Sequence, residues 1–251
     1  MVILKTRMAY TKKDEARYIA HLDLTRVFDR ALRRAQIDAV YSEGFNPHPK
    51  ISFGPPLPVG VEGEREYVDI ELKGPEKEEA EQAFLADAVR RLQEQLPAGI
   101  EILDYAVRPQ GSKAVMAIIN LARYKTEVPF LEAPAPLRLK EACQNWLAKK
   151  EISGVRFQKG KKIERNIRPY VSRIDPSPQE SSYQATVLFD IVTGNAGSVR
   201  PLEVLESLKA TEGLPVDIPG VYTTRVGLYI VQADGGLLDP LEIISGKRGD
   251  S

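Results

Sequence analysis

The chain has 251 residues, 43% hydrophobic and 28% charged, enough for a buried core in one large domain or two small ones. Its 35 basic and 35 acidic residues cancel, so any case for nucleic acid must come from local clustering rather than overall charge. One cysteine, Cys143, excludes an intrachain disulfide, a cysteine-ligated zinc site and an iron–sulfur cluster held by this chain alone.

In chain order, residues 3–10 and 17–20 read as a strand or hairpin arm, with Lys12, Lys13, Asp14 and Glu15 in the turn. Helical spacing starts near His21. Leu24, Phe28, Ala31, Leu32 and Ala35 fall on one face, and Arg26, Arg30, Arg33 and Arg34 on the other. Residues 41–60 hold five prolines and three glycines, a stiff stretch that presents Tyr41, Ser42, Asn46, His48 and Lys50 at low entropic cost. Residues 67–72 alternate as a half-buried strand. A helix is expected over 76–95, with Ala80, Ala83, Phe84, Val89 and Leu92 for its buried side, and a strand over 100–107.

The second half repeats that order. Strands are expected at 120–128, 183–192 and 222–231, and helices at 136–150 and 201–209, the latter with Ser198 as cap. A hairpin joins 155–157 to 165–174. The reading is an α+β chain of two tandem ferredoxin-like subdomains with antiparallel sheets, residues 1–110 and 111–232, split at Pro109, Gln110, Gly111 and Ser112. Residues 233–251 are expected to be a flexible tail. No apolar run is long enough for a membrane span, and residues 1–7 lack a signal-peptide core, so the expectation is a cytoplasmic protein.

Four features carry candidate chemistry. The four arginines after His21 face only Asp23 and Asp29, a lopsided stripe suited to phosphate. Arg156, Lys159, Lys161, Lys162, Arg165, Arg168 and Arg173 are opposed within 156–173 only by Glu164. With Phe157 and Tyr170 among them, they form a plausible RNA contact hairpin. The loop from Gly194 to Ser198 is a weak anion cradle. His21 and His48, the only histidines, are the candidates for acid–base work, and no metal site is expected.

The run His21, Leu22, Asp23, Leu24, the helix through Arg30 to Ala35, and Gly44 to Phe53 (Gly-Phe-Asn-Pro-His-Pro-Lys-Ile-Ser-Phe) resemble the radical-SAM-associated bacterial family. The resemblance covers roughly residues 3 to 230 and is strongest over 18–60. Members are encoded beside, or fused to, a radical SAM enzyme with a cobalamin-binding domain. The resemblance implies that enzyme as partner, with SAM, the iron–sulfur cluster and cobalamin belonging to it and no cofactor in this chain.

The resulting expectation is an accessory protein that presents tRNA or rRNA to the partner. Arg26, Arg30, Arg33, Arg34, His48, Lys50 and the hairpin cations would be the RNA contacts. Tyr41, Phe45, Asn46, Pro47 and Phe53 would be the partner contacts. Two alternatives stand beside it. One is a protein-only accessory subunit. The other is a metal-independent endoribonuclease using His21 or His48, similar in outline to the enzymes that process CRISPR repeat transcripts.

Overall fold

A computed structural model describes residues 1–132, 136–158, 160–178, 183–194 and 197–245. In chain order the first elements are β1 (Val2–Lys12), α1 (His21–Arg34), β2 (Ile51–Phe53), β3 (Glu62–Gly74), α2 (Glu81–Gln93), β4 (Ile102–Val107) and the short α3 (Val115–Ile118). There follow β5 (Leu121–Pro129), α4 (Pro136–Ala148), β6 (Ser153–Gln158), β7 (Lys161–Asn166), β8 (Val171–Pro178), β9 (Gln184–Val192), α5 (Pro201–Glu212) and β10 (Tyr222–Val231). The chain then adds β11 (Leu237–Leu238) and α6 (Glu242–Ser245). The fold is mixed α+β, with antiparallel pairing at every strand pair whose register is defined.

Two compact units emerge. The first is Met1–Ile119 with the segment from Gly227 onward, and the second is Asn120–Val226. This corrects the expected split near residue 110. It also corrects the expected tail, because the segment after Gly227 belongs to the first unit, where β11 pairs with the end of β10.

In the first unit the strand order is β4-β1-β3, with β2 on the far side of β3. In the second it is β10-β5-β9-β8, β10 belonging to this unit through Val226. Ranked by sequence, both sheets therefore run fourth, first, third, second. The hairpin β6–β7 is a separate two-stranded sheet inserted between α4 and β8.

One face of the first sheet follows from sequence periodicity. Met8, Tyr10, Val68, Ile70 and Leu72 pack against Leu24, Phe28, Ala31, Leu32 and Ala35 of α1 and its end. All five helix positions expected to be buried are buried. On α2 the buried set is Leu85, Ala88, Val89 and Leu92, not Ala80 and Ala83. A 3-10 turn over Glu78–Ala80 precedes the helix and leaves Ala80 outside it, while Val89 and Leu92 are buried as expected. The two helices also cap each other's carboxyl ends. Arg34 donates to the Gln95 carbonyl at 2.6 Å, and Arg91 donates to the carbonyls of Ala35 and Gln36 at 2.8 and 3.2 Å. Cations at helix C-termini satisfy orphan carbonyls and oppose the dipole.

The opposite face is polar and covered. Arg7, 1% exposed, forks onto Asp69 at 2.8 and 3.1 Å and donates to the carbonyls of Pro240 and Lys113. Arg108 makes a second ion pair with Asp69 at 2.8 Å, and the Val115 amide donates to the same carboxylate at 2.7 Å. Burial pulls the Arg108 pKa below the ordinary guanidinium range, and Asp69 opposes that pull. Further along, Arg65 Nε and the Tyr67 hydroxyl both donate to Asp239 Oδ2, at 2.7 and 2.6 Å. The stretches expected to be linker and tail thus cover this face.

A 3-10 turn over Asp14–Tyr18 takes in part of the expected turn, Asp14 and Glu15, and the start of the arm expected at 17–20. α5 starts at Pro201 with Arg200 as its N-cap, not Ser198. Its end is Gly213 at φ +64°, the left-handed position glycine accepts without a Cβ clash. Among the described residues no helix is long and apolar enough to cross a membrane.

Candidate functional site

A cavity of about 10 Å³, roughly the room one water needs, lies under the proline-rich segment of the first unit. Tyr10, Lys12, Ile19, His21, Leu24, Phe53, Glu66 and residues 54–57 line it. Alternation along β1 carries Lys12 onto the same face as Met8 and Tyr10, and Lys12 is 2% exposed. Its ammonium donates to the Arg17 carbonyl at 2.9 Å.

Opposite Tyr10 is Glu66, 3% exposed. The register shifts between Tyr10 and Lys12, whose partners are Glu66 and Gly63, so β3 carries an extra residue there. Glu66 folds back over Gly63. A Cβ on Gly63 would come within 2.7 Å of the Glu66 side chain, so glycine makes room for the carboxylate. His21 opens α1 at the cavity wall with its ring edge-on to Phe53, centroids 5.6 Å apart.

The sequence reading missed Lys12 and Glu66. It placed Lys12 in a turn, although the two-residue period from Met8 and Tyr10 extends to it.

The expected arginine stripe is mostly engaged locally. Arg26 pairs with Asp23 at 3.0 Å, Arg33 pairs with Asp29 at 3.0 Å and lies over the Tyr41 ring, and Arg34 caps α2. Asp29 raises the Arg33 pKa further above its usual range. Burial, then Asp29, raises that of Tyr41, whose hydroxyl donates to Asp29 at 3.3 Å. Of the four, Arg30 alone is exposed with a side chain that makes no hydrogen bond or ion pair among the described residues.

Residues 41–50 form a pinned loop. Tyr41 bridges Pro49, the Ser42 amide donates to the His48 carbonyl at 2.9 Å, and the His48 amide donates to Ser42 Oγ at 3.2 Å. Ser42 Oγ also lies 3.0 Å from His48 Nδ1. Lys50 Nζ sits 3.6 Å from Glu71. Asn46, Pro47 and His48 are exposed, and Phe45 is fully so. Two expected partner contacts behave differently. Phe53 is buried in the core against Phe28 and Tyr10, so it cannot reach a partner, and Tyr41 is half-buried. His48 does not line the cavity that His21 lines, so the geometry does not assemble a histidine pair. No group of His, Cys, Asp and Glu suited to a metal ion occurs among the described residues.

The basic hairpin divides into internal and outward cations. Arg168 donates to the Leu147 carbonyl at 2.9 and 2.5 Å and to the Val171 carbonyl at 2.7 Å, and stacks over Trp146. Arg165 donates to the Ser198 carbonyl at 2.5 Å, pairs with Glu203 at 3.4 Å and lies over the Tyr170 ring. These two arginines and Tyr170 hold the hairpin to the unit and are not free contact residues. Arg173 pairs with Asp175. The side chains of Arg156, Lys161 and Lys162 carry no ion pair or hydrogen bond among the described residues; both lysines are exposed and Arg156 is half-buried. Lys159 and the side chain of Phe157 lie outside the described residues, as do Asn195 and Ala196 of the expected anion cradle.

No curated protein matches the chain. A solved structure titled as the acetolactate synthase small subunit from Thermotoga maritima aligns over 92% of this chain and 98% of that one, at 8% identity and a TM-score of 0.25. That score is too low to carry any argument. A family model described as "Uncharacterized protein conserved in bacteria (DUF2344)" matches residues 5–201, most of the chain, and the chain belongs to that family.

Proposed function

We propose that the chain is an RNA-binding accessory protein of a radical SAM enzyme, built of two ferredoxin-like subdomains. Its role is to present a tRNA or rRNA segment to that enzyme, which carries SAM, the iron–sulfur cluster and cobalamin. The shared strand order, with helices following the first and third strands, supports the subdomain reading. The observation that carries the RNA reading is the exposed pair Lys161 and Lys162, with the half-buried Arg156 on the facing strand. These cations stand on a hairpin with its own two-stranded sheet, and the hairpin's acid, Glu164, already accepts from Ser153 Oγ at 2.5 Å. Cations held apart from carboxylates are what phosphate neutralisation and counterion release require.

The contact set is narrower than the sequence pattern. It keeps Arg156, Lys161, Lys162 and Arg30, and drops Arg165, Arg168, Arg26, Arg33 and Arg34, which already have partners. The test is binding of total tRNA by the Lys161→Ala/Lys162→Ala double variant over a salt series. Loss of two phosphate contacts lowers the slope of log affinity against log salt by roughly 1.4 to 1.8. An unchanged affinity and slope removes the hairpin from the interface and the RNA reading with it.

A further inference from the structure

We infer that the loop between Tyr41 and Lys50 is a docking plug, with Phe45 as its anchor, and that its occupant is an apolar pocket with a cationic rim on a protein surface. The inference rests on the accessory-protein reading for the identity of that protein, the radical SAM enzyme. Phe45 has a relative exposure of 106%, against 8% for Phe53 a few residues later. A phenylalanine held wholly in water forgoes the burial that makes the residue useful, and buried aromatics dominate the binding energy of protein interfaces.

The loop is built to hold that ring out. Backbone and side chain of Ser42 and His48 close its neck with contacts of 2.9, 3.2 and 3.0 Å. Below the neck, Lys50 donates its amide to the Val40 carbonyl at 2.8 Å, the Val40 amide donates to Glu71, and the Glu71 amide donates to Lys50. The neck is thus tied into β3. Gly44 turns the chain at φ +121°, a backbone conformation L side chains rarely adopt, and Pro47 and Pro49 stiffen the return. A tip ordered before contact loses little entropy on binding.

Charge selects protein over RNA. Lys50, the loop's cation, already faces Glu71, and Glu43 stands exposed two residues from Phe45. A phosphate backbone would meet a carboxylate there. A protein pocket ringed by lysine or arginine would meet a partner for it. The expected partner surface of Tyr41, Phe45, Asn46, Pro47 and Phe53 therefore contracts to the tip, residues 43–47.

The experiment measures affinity of the full chain for the purified radical SAM enzyme by calorimetry, with wild type, Phe45→Ala and Glu43→Lys. Neither side chain is buried, so both variants keep wild-type circular dichroism. The expected result is roughly tenfold or greater weakening for Phe45→Ala, the range of an interface anchor, and a smaller loss for Glu43→Lys. Wild type and Phe45→Ala binding the enzyme equally overturns the plug while leaving the accessory reading in place. Weakened tRNA binding by Phe45→Ala with enzyme binding intact also overturns it and makes Phe45 a base-stacking residue. No binding of wild type to the enzyme removes the partner reading, and the plug with it.

Discussion

The two faces of the first unit's sheet are held down by different physics. On one face, Phe28, Leu32, Leu85 and Leu92 bring an apolar layer onto Met8, Val68, Ile70 and Leu72. Its stabilisation is non-directional and scales with apolar area. On the other face, Asp69 collects two arginines and one amide, and Asp239 collects Arg65 and Tyr67. Those contacts are directional and depend on every partner being present. The apolar face fixes which way the helices lie. The polar face fixes which chain segments, 108–115 and 239–241, lie over the back of the sheet.

The largest test of this difference is Asp69→Ala. It leaves Arg7 and Arg108, 1% and 6% exposed, buried without their counter-ion. Removing one partner of a buried pair costs about 3–5 kcal/mol. Phe28→Ala on the other face costs about the same, 3–5 kcal/mol, by leaving a cavity. The faces separate when the whole cluster is replaced. Arg7→Met/Asp69→Leu/Arg108→Met together cost less than Asp69→Ala alone, because no charge remains buried and unpaired. Urea denaturation of the three proteins checks this. A triple variant less stable than Asp69→Ala would show that the arginines' carbonyl contacts, not the ion pairs, hold the cover.

The apolar face was legible in the sequence and the polar face was not. The 3.6-residue spacing from Leu24 to Ala35 named all five inward positions, because periodicity reports a face directly. Arg7 and Asp69 also sit at alternating strand positions, but alternation cannot say whether the second face meets water or another segment. Their partners lie far off: Arg7 and Asp69 are 62 residues apart, and Arg7 reaches a carbonyl 233 residues away. Proline and glycine near 109–112 and 235–240 read as linker and tail for the same reason.

In the candidate site, the motif residues His21, Phe45 and His48 were visible as types. His48 is pinned by Ser42 through contacts closed within the loop, whereas the burial of Glu66 over Gly63 beside His21 arises only from the strand register. The hairpin's basic run was legible too. Its division into the exposed Lys161 and Lys162 and the engaged Arg165 and Arg168 depends on carbonyls of Leu147 and Ser198 that no local pattern marks.

A smaller effect is expected from Asp239→Ala. Tyr67 and Arg65 lose an acceptor, and the Leu241 amide loses its 2.7 Å bond to Asp239 Oδ1. A buried donor left without its acceptor costs about 1–3 kcal/mol, and Tyr67 is 1% exposed. Hydrogen exchange locates the loss: the amides of Glu242 and Ile244, bonded to the carbonyls of Asp239 and Leu241, exchange faster in the variant. Unchanged exchange there would mean the segment is held by the buried Leu241 and Pro240 rather than by the carboxylate.

The mildest probe is alkaline pH, which reaches the polar face through Tyr67 and an apolar core through Cys143 of α4. Burial pushes the Cys143 thiol from 9.0 up to about 12, with Asp175 and Glu212 adding to the push. Burial, then Asp239, raises Tyr67 above its ordinary 10.0. Both groups are neutral in both states below pH 9, so neither affects stability there. Above its unfolded pKa each group loses its proton in the unfolded chain while the folded chain retains it. The unfolded state is then favoured by about 1.4 kcal/mol per pH unit for each such group.

Stability therefore falls from pH 9 upward on account of Cys143, and more steeply above pH 10 as Tyr67 joins. Denaturation midpoints at pH 8, 9.5 and 10.5 measure it. Cys143→Ala removes the earlier part of the fall, and Tyr67→Phe removes the later part together with the hydroxyl's bond to Asp239. If Tyr67→Phe left the fall above pH 10 intact, the polar face would not be what limits the protein in alkali.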